Sequence, residues 1–154
     1  MGTSLKRQLQ KSDPFLSKEC DREGCLKCES GGKGNCRSIG VTYVITCVTC
    51  EAAGRTVKYV GQSARSGFSR GWEHWDGMRR HADDSRVHDH AVECHDGETP
   101  EVRMDITGTY EGDPMLRQIS EAVQIRALPA SVLLNQKTEW NINALPHLNL
   151  TDSP

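Results

Sequence analysis

VTYVITC (residues 41–47) and RTVKYVGQ (55–62) are the stretches on which the fold turns. Both are rich in β-branched and aromatic residues and predict strands. Together they predict an antiparallel hairpin whose connection holds Cys47 and Cys50. Downstream, EVRMDITGTY (101–110) alternates Val102, Met104 and Ile106, the pattern of a third strand. Residues 67–82 predict a helix with Phe68, Trp72 and Trp75 on its apolar side, and Ser85 caps a shorter helix running towards Cys94. Asp113 followed by Pro114 marks a helix start. That helix is predicted to reach about Leu128, with Leu116, Ile119 and Val123 on one stripe and Glu121 on its flank. The order β-β-α-α-β-α predicts a small α+β domain, a three-stranded antiparallel sheet flanked by helices and preceded by a Cys-rich metal-binding segment.

The predicted boundaries are a polar lead-in over 1–19, the Cys-rich segment over 20–38, the α+β domain over 39–146 and a tail over 147–154. With 36% hydrophobic and 5% aromatic residues in 154, the core is thin, and a bound metal would help to hold it. No apolar run approaches the roughly 18 residues of a membrane span. The first 19 residues carry Lys6, Arg7, Lys11 and Lys18 without an apolar stretch, so no secretory signal is expected. Seven cysteines in such a chain point to thiolates and metal rather than to disulfides, and an odd count resists complete pairing.

The net charge of −2 is unevenly spread. Between Arg55 and Arg80, the six basic residues Arg55, Lys58, Arg65, Arg70, Arg79 and Arg80 face only Glu73 and Asp76, whereas Asp83 to Glu121 holds eleven acidic residues against three basic ones. A basic face backed by an acidic one can follow a phosphate backbone. An ordinary mixed surface has the same composition.

Two sets of residues have metal-ligand spacing. Cys20-x4-Cys25-x2-Cys28-x7-Cys36 offers four soft ligands in a segment without apolar periodicity, which needs a ligand such as zinc to become ordered. Free thiols in a linker are the bland alternative. Cys47-x2-Cys50 with His90-x4-His95 forms the second set, and its long middle gap requires the fold to bring its halves together, as in a structural site. His88 and Cys94 compete for the fourth position, and Cys94 would share a helical face with His90. Three surface histidines are the plain alternative.

The other polar candidates are scattered. Tyr43 and Tyr59 lie on adjacent predicted strands, and Gly61 suggests close approach of a backbone or a phosphate. Arg70 and His74 share a helix face at i,i+4. Glu121 lies within the last helix, where pairing with Arg117 is its plain role, and Asn135 follows Leu133 and Leu134, where it could cap a turn.

At VTY (41–43), YVG (59–61), RGWEH (70–74), Glu121 with Ala122, and LLN ending at Asn135, the chain resembles the GIY-YIG nuclease superfamily. The likeness covers residues 41–141, about two-thirds of the chain. Val41 and Thr42 depart from the family's Gly and Ile, and Cys47 and Cys50 lengthen the gap between the tyrosines. Cysteines there, completed by downstream histidines, are similar to the endonuclease domain of Penelope-like retroelements, as are MLRQISEA (115–122), LLNQKTEWN (133–141) and the upstream DPFLSKECDREGCLKC (13–28).

The resemblance implies a nuclear, DNA-nicking endonuclease, the C-terminal part of a longer protein, working with a reverse transcriptase and its RNA template. It implies that Tyr43, helped by His74, orients or deprotonates water and that Glu121 holds one Mg²⁺ or Mn²⁺. Arg70 would stabilise the phosphoryl oxygens, Tyr59 would bond a phosphate oxygen or the water, and Asn135 would brace the site. Two structural zinc ions would complete the cofactors. The alternatives are a catalytically silent, zinc-stabilised nucleic-acid-binding module and a repair nuclease of the same superfamily. Retention of every polar position weighs against the silent module, and the cysteines weigh against the repair enzyme.

Overall fold

A computed structural model describes residues 20–80 and 85–135; the expected lead-in and tail lie outside them. The fold is α+β. Strands β1 (Ile39–Cys47), β2 (Lys58–Ser66) and β3 (Val102–Thr109) form an antiparallel sheet in the order β2-β1-β3. Among the described residues, five α-helices pack around it: α1 (Leu26–Glu29), α2 (Val48–Ala52), α3 (Gly67–Arg80), α4 (Arg86–Cys94) and α5 (Pro114–Ala127). The helix starts follow from their caps. Ser85 Oγ accepts from His88 N, and Asp113 Oδ1 accepts from Leu116 N at 2.9 Å with Pro114 next to the cap. Helices α1 and α2 span only four and five residues, too short for any apolar periodicity to announce them.

In β1, Val41, Tyr43, Ile45 and Cys47 point to one face, as alternation requires. With Val102, Met104 and Ile106 of β3 and Leu26, Met78 and Val87 of the helices they form the core, against which Tyr59 and Trp75 pack. Burying such side chains contributes on the order of 1.5–3 kcal/mol each.

Two helices turn differently from their apolar patterns. Helix α3 buries Gly67, Gly71, His74 and Met78, while Trp72 is 42% exposed and Phe68 and Trp75 are half-buried. Gly71 lets the helix approach closely, since a Cβ there would lie 3.0 Å from Met104 Sδ and 3.2 Å from Leu26 Cβ. Helix α5 leaves Leu116, Ile119 and Val123 exposed and buries Arg117, Ala122 and Ile125. Its polar side chains satisfy the sheet instead: Arg117 Nε donates to Gln62 Oε1 at 2.6 Å, and Gln124 Nε2 to Thr42 Oγ1 at 3.3 Å.

Both edges of the sheet are covered. On β3, Met104 N donates to Ser30 Oγ at 3.2 Å and Ile106 N to the Lys33 carbonyl at 2.9 Å, so the Cys-rich segment occupies the outer hydrogen-bonding row. On β2, Leu134 N donates to the Lys58 carbonyl at 2.8 Å, and the Asn135 carboxamide takes both backbone groups of Val60, each at 2.8 Å. Asn135 is buried and does the work of an extra strand residue. Among the described residues no helix is long and apolar enough to cross a membrane.

Candidate functional site

The sheet register sets the centre of the site. Tyr43 pairs with Gly61, and Ile45 with Tyr59, so both tyrosines share one face. Gly61 leaves the space that the Tyr43 phenol fills: a Cβ at 61 would overlap the phenolic oxygen and stand 2.5 Å from Cζ. Asn135 grips Val60, between Tyr59 and Gly61, and so fixes the strand that carries both.

Helix α3 completes the centre. Tyr43 Oη lies 2.7 Å from His74 Nε2 and 2.9 Å from Arg70 Nε. Arg70 can only donate, so the phenol oxygen accepts from it and its own proton goes to Nε2, which assigns His74 the Nδ1–H tautomer. Tyr59 closes the group, its ring centroid 6.4 Å from that of Tyr43 and 5.5 Å from that of His74. A cavity of about 190 Å³ opens beside them, lined by Tyr59, Arg70, Glu73, His74, Gly77, Ser85 and Arg86. Glu73 is a site residue that spacing alone did not single out. It bonds Arg70 Nη1 at 2.7 Å and also pairs with Arg65. Its position three residues after Arg70 was the available signal.

Burial raises the Tyr43 pKa, and the charges of Tyr59 and Glu121 add to the effect while Arg70 opposes it. Burial, then the Arg70 charge, lowers the His74 pKa to about 3. The pair therefore rests as a neutral phenol and a neutral imidazole. In the unfolded chain His74 would bind a proton below about pH 6.5, so its folded, neutral form is favoured above that pH and loses stability as pH falls from about 6.5 towards about 3. The His74 ring resonance should stay fixed between pH 8 and 5 in NMR spectra. A titration centred near pH 6.5 would contradict this assignment.

Glu121 stands apart from that cavity. It is half-buried between Arg117 and Ile125, one turn away on either side, and therefore lies on the sheet side of α5 rather than on its flank. The helix hydrogen-bonds to Thr42 and Gln62, which occupy the sheet face opposite Tyr43. Its charge nonetheless reaches the Tyr43 phenol.

Two groups of side chains could hold metal ions: Cys20, Cys25, Cys28 and Cys36, and Cys47, Cys50, His90 and His95. A tetrahedron with metal–sulfur bonds of about 2.3 Å and metal–nitrogen bonds of about 2.05 Å has S···S, S···N and N···N edges of roughly 3.8, 3.6 and 3.3 Å. Cys28 and Cys36 Sγ are 3.8 Å apart. Cys47 Sγ to His95 Nε2, and Cys50 Sγ to both imidazoles, measure 3.4 Å, and the two Nε2 atoms lie 3.2 Å apart. The donors are thus spaced for one ion each, far beyond the roughly 2.05 Å of a disulfide. His95 follows the end of α4 with φ −131°, and the chain's departure from the helix brings its ring beside that of His90. Cys94 stays exposed, and neither it nor His88 belongs to the set. Burial pushes the Cys25 and Cys47 thiols up to about 11, a cost that a bound cation reverses by favouring thiolate.

No family model, curated protein or solved structure matches this chain.

Proposed function

We propose that the chain is a metal-dependent endonuclease of the GIY-YIG type, which nicks DNA to leave a 5′-phosphate and a 3′-hydroxyl that can prime reverse transcription. The observation that carries this reading is the buried phenol of Tyr43 held between Arg70 Nε and His74 Nε2, beside a cavity edged by Tyr59 and Arg86. Tyr43, hydrogen-bonded to the neutral His74 Nε2, would orient the attacking water or take its proton. Arg70 keeps Nη2 without a partner among the described residues, for a phosphoryl oxygen. Glu73 fixes the orientation of the guanidinium, Tyr59 bonds the phosphate or the water, and Asn135 holds the strand beneath them.

Mg²⁺ fits a single half-buried carboxylate, because it retains most of its waters and takes substrate phosphate oxygens. Glu121 would hold it, and the ion would polarise the scissile phosphate and neutralise the leaving 3′-oxygen. The two Cys and Cys/His groups would hold zinc, whose preferred donors and tetrahedral edges they supply. Nuclear action beside a reverse transcriptase and its RNA template belongs to the same proposal. Elemental analysis should return two zinc ions per chain. A metal-free, folded protein would remove both sites.

The direct test is supercoiled plasmid incubated with the protein, with and without Mg²⁺. Nicked circles should form only with the metal, and Arg70→Ala should abolish them while leaving the melting temperature nearly unchanged. A nucleic-acid-binding module without turnover is the second reading, favoured by the bonding of α5 to the sheet face opposite Tyr43. It predicts DNA binding without nicking.

A further inference from the structure

Helix α3 carries a second cavity on the side away from Arg70 and His74. At about 100° per residue, Phe68, Trp72, Trp75 and Arg79 lie opposite Arg70, Glu73, His74 and Gly77. The turn at Gly24 borders an open cavity of about 320 Å³ on that side, lined by Glu23, Gly24, Glu29, Trp72 and Trp75. None of these residues lines the cavity beside Tyr59. The two indoles lie 5.1 Å apart at 42°. Gly24, at φ +74°, brings the chain so close that a Cβ would stand 2.6 Å from the Trp72 ring. Glu29 Oε1 accepts from Gly24 N at 2.6 Å, and neither Glu29 nor Glu23 has an ion-pair partner among the described residues.

Two indoles beside two carboxylates suit an organic cation. Indole faces carry the negative end of the ring quadrupole, and carboxylates bond strongly to guanidinium or ammonium groups. A phosphate-bearing ligand would instead meet two like charges. The same helix face already holds such pairs: the Arg79 guanidinium sits 4.5 Å above the Trp75 ring, and that of Arg22 sits 4.7 Å above Phe68. The volume lies at the small end of ligand sites, room for one long side chain rather than a larger ligand.

We infer that this cavity docks a basic side chain of a protein partner, with arginine preferred to lysine because a planar guanidinium stacks as well as pairs. The site is independent of the DNA-cleaving proposal, and its test involves no cleavage. The full chain with its metal bound would be titrated with acetyl-Gly-Arg-Gly-amide while the indole N–H resonances of Trp72 and Trp75 are followed by NMR. Lysine and glutamate versions of the peptide and a short oligothymidylate serve as comparisons. Both resonances should move saturably with the arginine peptide, less with lysine and not with glutamate. Glu23→Gln combined with Glu29→Gln, which keeps an acceptor for Gly24 N, should weaken binding by at least about fivefold, and Trp72→Ala should remove it. Resonances that respond only to oligothymidylate would make the cavity a base-stacking site and overturn the inference. So would unmoved resonances with the arginine peptide, or unchanged affinity in the double glutamine variant.

Discussion

On the proposed mechanism, Glu121→Gln should lower nicking by at least about a hundredfold while leaving the protein folded, since a catalytic metal contributes several kcal/mol to the transition state. The amide keeps the size and much of the hydrogen bonding of the carboxylate but lacks the charge a hard cation requires. DNA affinity should hold or rise, because one negative charge has gone from the neighbourhood of the phosphates. The substitution also removes one of the charges that disfavour the Tyr43 phenolate, which should make Tyr43 easier to ionise. Nicking rate, DNA affinity and the phenol's spectroscopic titration on this one variant separate the possibilities. Intact nicking with an altered Tyr43 titration would show that Glu121 is near the site without being the metal's ligand, and the mechanism would fall.

The second large effect belongs to Cys47→Ser. Cys47 caps α2 with its sulfur accepting from Cys50 N at 3.4 Å, and the same sulfur lies 3.4 Å from His95 Nε2. Losing it breaks a donor set that joins the end of β1 to the end of α4, elements 48 residues apart. Metal-binding free energy in such sites is folding free energy, so the loss should be on the order of 3 kcal/mol or more, lowering Tm by at least about 12 °C. Thermal unfolding with elemental analysis would test this. A variant that melts like the parent and binds all of its metal would show that the group is not a metal centre. By contrast, Cys94→Ser should change little, because that side chain is exposed and outside the set.

How much of this could be read before any coordinates is visible in individual residues. The strands follow from Val41, Tyr43 and Ile45 and from Tyr59 and Val60, because β-branched and aromatic residues in alternation have few other homes. The caps at Ser85 and Asp113 and the ligand spacings were legible because each is a local, stereochemical requirement. The facing of α3 and α5 was not. Phe68, Trp72 and Trp75 make the more apolar stripe, but the sheet takes Gly67, Gly71, His74 and Met78, since small residues allow closer approach and His74 finds a phenol to bond. On α5 the pattern Leu116, Ile119, Val123 misled for the opposite reason: Arg117 and Gln124 are buried or half-buried because their partners, Gln62 and Thr42, come from distant strands. Apolar periodicity counts side chains and cannot count partners. The fourth ligand of the second metal group was open between neighbours for a similar reason, as it depends on where the chain leaves α4.

The cover over β3 has a consequence for how the protein behaves when its first metal group is emptied. Ser30 and Lys33, which occupy the outward amides of Met104 and Ile106, sit on the loop between Cys28 and Cys36 and have little apolar packing of their own. Chelation would release that loop and leave two amides of the edge strand β3 facing solvent, spaced to receive another chain. If the Cys-rich group holds the proposed zinc, that metal guards against self-association as well as adding stability, and chelation should promote aggregation.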